Sequence, residues 1–184
     1  STYLKAKIGG IQGRKLEKGD VIPFRKPAEV LPRMENRRLL PEFVPQSVYT
    51  LRVVMGPQDD AFTSAGIGTF LSETYTVTPE FDRMGCRLDG PVIAHKEGGD
   101  IISDGIAFGA IQVPSSGTPI IMLADRQTTG GYTKIGTVIT ADFRILAQLK
   151  AGDKVRFIQV PVDFAQNQLL AQRAALKALS KINL

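Results

Sequence analysis

Hydrophobic and polar residues alternate in short runs along most of the chain, a pattern typical of half-buried β-strands. The clearest runs are Tyr49 to Val54, Thr74 to Thr78, Gly105 to Val113, Ile120 to Leu123 and Val155 to Val160. Pro79 is expected to end the second run, because proline has no N–H to give to a sheet. Many short strands with few helices predict a mainly β protein and favour a closed or nearly closed barrel over a doubly wound sheet.

Three segments have the features of helices. Short helices are predicted from Asp59 to about Leu71 and from about Ala141, with Thr140 as the N-cap of the second. A longer C-terminal helix is predicted from Val162 to Asn183. Its apolar stripe consists of Ala165, Leu169, Leu176 and Leu179. The stripe favours a helix that packs on its own barrel; a partner-binding or membrane-surface helix is the alternative, and the many alanines argue against the membrane.

A proline-rich, charged segment between Lys26 and Pro45 interrupts these patterns and is predicted to be a connector. The chain opens on Ser-Thr-Tyr-Leu, which is already patterned like a folded element and has no initiator methionine, so we expect further sequence upstream. The predicted organisation is therefore the tail of a preceding unit plus the connector (1–45), a barrel domain (46–162) and a C-terminal helix (163–184).

Composition narrows the classes of function. The chain of 184 residues has a formal net charge of +5, and it contains no tryptophan. Its basic residues are mostly spread out, so a nucleic-acid surface that stacks bases is not expected. Cys86 is the only cysteine, which rules out an intrachain disulfide and favours a reducing, cytoplasmic location. No apolar run approaches the roughly 20 residues of a membrane span.

The segment from Ala124 to Tyr132 carries the densest polar chemistry and follows an apolar run that predicts a buried strand. Either Arg126 or Gln127 is expected to face a pocket, while Asp125 holds the loop in shape. Further donors are expected from Thr128 and from the backbone N–H groups of Gly130 and Gly131, which in a glycine turn can bind an anion. Tyr132 is expected to cap the pocket or simply to pack.

Two arginines and a glutamine outside this segment are further binding candidates. Arg83 and Arg87 could converge on one anion, or each could pair with a nearby acid, Asp82 or Asp89. Gln112 can both donate and accept hydrogen bonds, which suits a lactam or ureido group, and a surface position is the alternative.

Two residues with reactive side chains are given structural interpretations. The lone histidine, His95, is predicted to be a surface or loop residue, and no metal site is expected. Cys86 is predicted to be buried filler, because nothing in its surroundings favours the thiolate.

Catalytic residues cannot be assigned from the sequence. It contains neither a Gly-x-Ser-x-Gly elbow nor a phosphate-binding P-loop. The chain is therefore not expected to use ATP alone. Any contribution to catalysis is expected to come from positioning and from stabilisation of an oxyanion.

Several motifs follow one another in order along the chain. They are Gly9–Arg14, Gly56–Asp59, Asp82–Pro91, Gly109–Pro114 and Ala124–Tyr132. Together they resemble the biotin-dependent carboxyltransferase family of the allophanate hydrolase subunit 2 type, and the resemblance extends to about Val160. The family includes the C subunit of bacterial 5-oxoprolinase, KipA, which counteracts an inhibitor of the sporulation kinase, and the carboxyltransferase domain of urea carboxylase.

The resemblance implies a cyclophilin-like closed β-barrel. Full members carry two such barrels, and this chain resembles the second barrel with the tail of the first. The implied activity is ATP-dependent cleavage of 5-oxoproline, a small lactam, to glutamate. ATP would be used by partner subunits, such as the B subunit of 5-oxoprolinase or a KipI-like protein, and the chain is expected to be inactive alone.

The family also implies two alternatives. One is KipA-type binding of a kinase inhibitor, and the other is carboxyl transfer from carboxybiotin to urea-like amides. The Met-Lys motif of a biotin carrier is absent from the sequence. Biotin is therefore expected only as a visiting group, and no cofactor is expected to be bound by this chain itself.

Overall fold

A computed structural model describes residues 2–4, 6–23 and 45–179. They belong to two compact units, the first containing residues 2–4 and 6–23 and the second residues 45–179. In the first unit, β1 (Thr2–Tyr3) pairs antiparallel with β2 (Ile8–Gly9). Of the predicted connector only Pro45 is described, and residues 180–183 of the predicted C-terminal helix also lie outside the described residues.

The second unit is mainly β. Its strands are β3 (Tyr49–Met55), β4 (Tyr75–Phe81), β5 (Gly85–Asp89), β6 (Asp100–Gly105), β7 (Ala110–Val113), β8 (Ile120–Met122), β9 (Thr129–Val138) and β10 (Lys154–Gln159). Its α-helices are α1 (Ser64–Ser72), α2 (Phe143–Leu146) and α3 (Val162–Leu179), and short 3-10 turns occur at Asp59–Ala61 and Thr140–Asp142. In the described residues, no helix combines the length and the apolar character needed to cross a bilayer.

Seven strands close into a ring in the order β3-β10-β4-β5-β8-β7-β9, and β9 pairs back with β3. The pairing of β10 with β3 is parallel, whereas the other pairs of the ring are antiparallel. β6 pairs with the first part of β9, where Asp104 lies opposite Gly130, while β3 pairs with its last part, where Val53 lies opposite Val138. The predicted closed, mainly β barrel is confirmed.

Hydrophobic side chains that alternate along the strands fill the barrel. In β10, Val155 and Phe157 are fully buried while the residues between and beside them are exposed. Phe70 of α1 stacks on Phe157, with ring centroids 4.4 Å apart, and so joins the helix to the core. Cys86 is also fully buried, and burial raises the pKa of its thiol to about 12. The prediction of a buried cysteine is confirmed.

The C-terminal helix is attached to the barrel through Arg52 of β3. The buried carboxylate of Asp142 accepts hydrogen bonds from the main-chain N–H of Arg52 at 2.8 Å and from its guanidinium. The same guanidinium donates to Gln168 Oε1 of α3 at 3.0 Å. At this contact the helix packs on its own barrel, but Leu176, predicted to be on the packing stripe, is 62% exposed.

The structure corrects two predicted strands and places the start of another strand in a predicted loop. β4 continues through Pro79 to Phe81, because its register with β5 shifts between Val77 and Phe81, and a bulge tolerates the missing proline N–H. β9 begins at Thr129, inside the segment predicted to be a loop. The predicted run from Gly105 to Val113 is also divided, because Gly105 ends β6 and β7 begins only at Ala110.

The first two predicted helices exist with different starts. The first is a 3-10 turn at Asp59–Ala61 followed by α1, whose N-cap is Thr63, since its Oγ1 accepts a hydrogen bond from Gly66 N at 2.9 Å. Thr140 is not the N-cap of α2, because Thr140–Asp142 form a 3-10 turn in front of that helix.

Candidate functional site on the outer wall of the barrel

Cross-strand pairing lines up residues that are distant in sequence. Arg87 of β5 lies opposite Ile120 of β8, Ile120 lies opposite Gln112 of β7, and Gln112 lies opposite Lys134 of β9. Residues directly opposite each other direct their side chains to the same face of a sheet. Ile111, the neighbour of Gln112, is buried in the barrel core, so this row lies on the outer face.

The segment before β7 covers part of this outer face. Ile106 packs with Ala110 and Met122 in a small apolar cluster. Arg126 fixes the segment, because its Nε donates to Ile106 O at 2.9 Å and its Nη1 donates to Leu123 O at 3.2 Å. Gln112 and Lys134 are only 2% exposed, although they lie on the outside of the barrel.

The buried ammonium group of Lys134 has a carboxylate partner. Lys134 Nζ lies 2.9 Å from Asp104 Oδ2. The pKa of Asp104 is lowered, first by the hydrogen bond from Lys134 and then by those from the Gly105 N–H and the Gln58 side chain. An ammonium has three N–H donors, and Asp104 accepts from one of them. Lys134 therefore keeps donor capacity for a further acceptor.

Gln112 supplies a second buried donor. Its Nε2 is buried and has no hydrogen-bond partner among the residues that the structure describes. A Cβ built on Gly130 would lie 3.0 Å from Gln112 Nε2 and 2.9 Å from Gln127 Nε2, so both side-chain amides face this glycine. We call the group formed by Gln112, Gln127, Gly130 and Lys134 the donor pocket.

Register places the carboxylate partner of the lysine opposite the same glycine. Lys134 bonds to Asp104, and Asp104 lies opposite Gly130 in the β6–β9 pair. Two amides thus face Gly130, and the ammonium binds the residue that pairs with this glycine.

The donor pocket is suited to an oxygen acceptor. A buried amide without a partner costs about 1–3 kcal/mol, so a group that accepts its hydrogen bond would be bound favourably. The ammonium adds a positive charge in a place from which water is largely excluded, where charges interact more strongly than in bulk water. A carboxylate, or a carbonyl oxygen that becomes negative during a reaction, fits this donor set.

The two predicted arginines are each paired with their own acid. Arg83 forms a two-pronged pair with Asp125, at 2.7 and 2.9 Å, which lowers the pKa of Asp125 mainly through these hydrogen bonds. Arg87 pairs with Glu80 at 3.0 Å, with both side chains exposed. These partners differ from Asp82 and Asp89, which the sequence suggested, because the fold brings Asp125 beside Arg83 and strand β4 beside β5. A binding role for either arginine stays a prediction.

The expected anion-binding turn at Gly130 and Gly131 is wrong. Both glycines belong to extended β9, where Gly130 lies opposite Asp104. Successive N–H groups of a strand point to opposite edges, so they do not form a cradle. Tyr132 lies on the same face of β9 as Gly130 and is 39% exposed, and Thr128 O accepts a hydrogen bond from Ile106 N at 2.9 Å.

The structure brings Gln112, Gln127 and Gly130 together, and their binding roles stay predictions. Sequence reasoning missed Lys134 and its partner Asp104. Lys134 lies between two buried residues, Thr133 and Ile135. The alternation of inward and outward residues along a strand therefore predicts only that its side chain points outward. Its burial depends on a carboxylate 30 positions away, which no local pattern reveals.

His95 lies in the segment between β5 and β6, and its ring is packed rather than free. Its Nε2 lies 3.1 Å from Val113 O and 3.0 Å from Thr133 Oγ1, and the ring lies against Phe62 with centroids 4.5 Å apart. Over residues 2–4, 6–23 and 45–179, no group of three or more His, Cys, Asp or Glu side chains is arranged to hold a metal ion.

The fold and the ordered motifs define the class of this protein. The family model of the carboxyltransferase domain, subdomain A and B, matches residues 1–159, and the chain belongs to this family. The known structure of Kluyveromyces lactis urea carboxylase has the same fold, with a TM-score of 0.80 and 24% sequence identity over 95% of this chain and 17% of that one.

Two curated relatives extend the comparison. The C subunit of 5-oxoprolinase from Escherichia coli K12 is 33% identical over 167 residues, which cover 90% of this chain and 52% of the relative. The protein of the same name from Haemophilus influenzae is 36% identical over 169 residues, with the same coverage of 90% and 52%. The chain thus spans about half the length of the curated relatives it matches.

Proposed function

We propose that this chain belongs to the C subunit of a 5-oxoprolinase and acts with partner subunits in the ATP-dependent opening of 5-oxoproline to glutamate. The observation that carries the proposal is the unpartnered amide of Gln112, which is buried opposite Lys134 in the β7–β9 pair. The similarity to two proteins that are named as C subunits of 5-oxoprolinase supports the choice of substrate.

In the proposed reaction, the lactam C–N bond is cleaved with addition of water, and the ring nitrogen becomes the amine of glutamate. The lactam oxygen gains negative charge when the carbonyl carbon is attacked. Gln112 Nε2 and Lys134 Nζ would donate to that oxygen, and the positive charge of the ammonium would stabilise it. Asp104 would keep the ammonium oriented through its 2.9 Å contact.

The proposal assigns ATP to the partner subunits, of which the B subunit of 5-oxoprolinase, a KipI-like protein, is one. The sequence contains no phosphate-binding P-loop, which supports this division of labour. The chain itself would bind the small lactam, and biotin would enter only as a group carried by another protein.

The proposal is tested in the reconstituted complex, with the full-length protein that carries this sequence and its partner subunits. The assay measures ATP-dependent release of glutamate from 5-oxoproline. We expect Gln112→Leu and Lys134→Met each to lower kcat/KM by roughly 10²–10³, the usual effect of removing one oxyanion donor. Arg156→Gln is the matched control and should leave the rate unchanged, since Arg156 donates to Thr50 and lies on β10, which pairs with neither β7 nor β9.

Two results would contradict the proposal. One is full activity of both donor-pocket variants. The other is normal growth on 5-oxoproline as nitrogen source after deletion of the gene. Proline has the same ring and carboxylate but no lactam carbonyl, so it should not compete for the donor pocket. Competition by proline would show that the pocket recognises only the carboxylate.

A further inference from the structure

Gln58 makes three hydrogen bonds to the two partners of the buried ion pair. Its main-chain N–H donates to Lys134 O at 3.1 Å, and its side-chain Oε1 accepts from Lys134 N at 3.1 Å. Its Nε2 donates to Asp104 Oδ2 at 3.2 Å, the same oxygen that binds Lys134 Nζ. One side chain therefore contacts both the main chain of the lysine and its counter-ion.

Lys134 lies where the regular pairing of β9 is interrupted. On one edge of β9, β6 pairs as far as Tyr132 and β3 pairs from Gly136 onward, so neither strand pairs with Lys134. On the other edge the register with β7 shifts between Ile111 and Gln112. Gln58 occupies the interval between β6 and β3 and bonds the lysine main chain in place of a neighbouring strand.

The ion pair also needs a fixed geometry. The lysine side chain has four rotatable bonds, and its ammonium is held by a carboxylate that is itself half exposed, at 52%. Water and other conformers compete for such a carboxylate. The hydrogen bond from Gln58 Nε2 restrains the Asp104 carboxylate against this competition. The two hydrogen bonds between Gln58 and the Lys134 main chain fix the backbone from which the lysine side chain extends.

We infer that Gln58 is a positioning residue, which sets the direction of the Lys134 ammonium in the donor pocket by fixing both the lysine main chain and Asp104. The importance of this role for binding rests on the proposed function. The geometric part does not, because it concerns only contacts within this chain.

The test observes the Lys134 ammonium directly by NMR in the full chain labelled with ¹⁵N-lysine. Slow exchange of its protons with water is expected in the unsubstituted protein, because the group is 2% exposed and hydrogen-bonded. Gln58→Leu should speed this exchange at least about tenfold, the factor that one lost hydrogen bond can produce. Asp104→Asn should have a similar effect, whereas Arg156→Gln should have none.

A conservative variant separates positioning from general destabilisation. Gln58→Glu keeps an acceptor for Lys134 N but replaces the donor to Asp104 with a carboxylate that repels it, so exchange should be at least as fast as in Gln58→Leu and the Lys134 Nζ resonance should shift. If Gln58→Leu folds and leaves exchange unchanged, or if Gln58→Glu exchanges as slowly as the unsubstituted protein, the positioning role is wrong. If exchange responds as expected while Lys134→Met leaves 5-oxoproline turnover unchanged, the proposed function fails and the positioning role stands.

Discussion

Removal of the Asp142 carboxylate should cost the barrel a large part of its stability. Asp142 is 1% exposed and accepts hydrogen bonds from the main-chain N–H, the Nε and the Nη2 of Arg52. In Asp142→Ala, the main-chain N–H of Arg52 loses its acceptor, which costs about 1–3 kcal/mol. The guanidinium loses its counter-charge as well, but its side chain is 27% exposed and keeps Gln168, so water relieves part of that loss.

The expected decrease in the free energy of unfolding is about 3 kcal/mol, at the lower end of the range for breaking a buried ion pair. Urea unfolding followed by far-UV circular dichroism measures it as a lower midpoint with an unchanged slope. Glu80→Ala is the matched control, because the Arg87–Glu80 pair has side chains 55% and 75% exposed and should be worth about 0–1 kcal/mol. Equal effects of the two substitutions would refute the reasoning.

Three further outcomes are expected. Gly130→Ala keeps an allowed extended backbone but brings a methyl group within 3.0 Å of Ile106 Cδ1 and of the amides of Gln112 and Gln127. Binding of 5-oxoproline measured by calorimetry should therefore weaken at least tenfold with an unchanged circular dichroism spectrum, and unchanged affinity would argue against the donor pocket. Cys86, with a pKa raised to about 12 from 9.0 by burial, should resist iodoacetamide at pH 8 in the folded protein and react in urea, as mass spectrometry would detect. Because its thiol ionises first in the unfolded chain, its stabilising contribution should be intact below pH 9 and decline from pH 9 toward 12, and Cys86→Ala should remove this part of the alkaline decline in urea midpoints.

Strands with strict alternation were predictable, because their burial is decided by neighbours two residues away. Tyr49 to Val54 and Val155 to Val160 agree with β3 and β10 to within one residue at each end. β9 was hidden, since the glycines at 130 and 131 suggest a turn. Glycine is needed at position 130 of this strand because the space of a Cβ is occupied by Ile106 Cδ1, at 2.7 Å, and by the side-chain amides of Gln127 and Gln112. Such crowding depends on the assembled barrel and leaves no local signal.

The candidate site was predictable to the same limited extent. Gln112 and Gln127 could be chosen as polar residues near strand ends, and they do face one glycine. Arg83 and Arg87 were candidates because their charge suits an anion, but the structure pairs each with an acid. Lys134 could not be chosen, because an outward lysine in a strand normally reaches water. Its counter-ion, Asp104, lies on another strand, 30 positions away along the chain.

The position of β10 in the ring has a consequence for the growing polypeptide. This last strand of the barrel lies between β3 and β4, and Val155 pairs with Tyr49 near the start of the unit. Until residues 154–159 have been synthesised, the wall has an open seam with two unsatisfied strand edges, which are prone to intermolecular pairing. Closure joins distant parts of the chain, and such non-local pairing generally forms more slowly than local contacts. A stop codon upstream of Lys154 would leave an aggregation-prone open sheet rather than a smaller barrel.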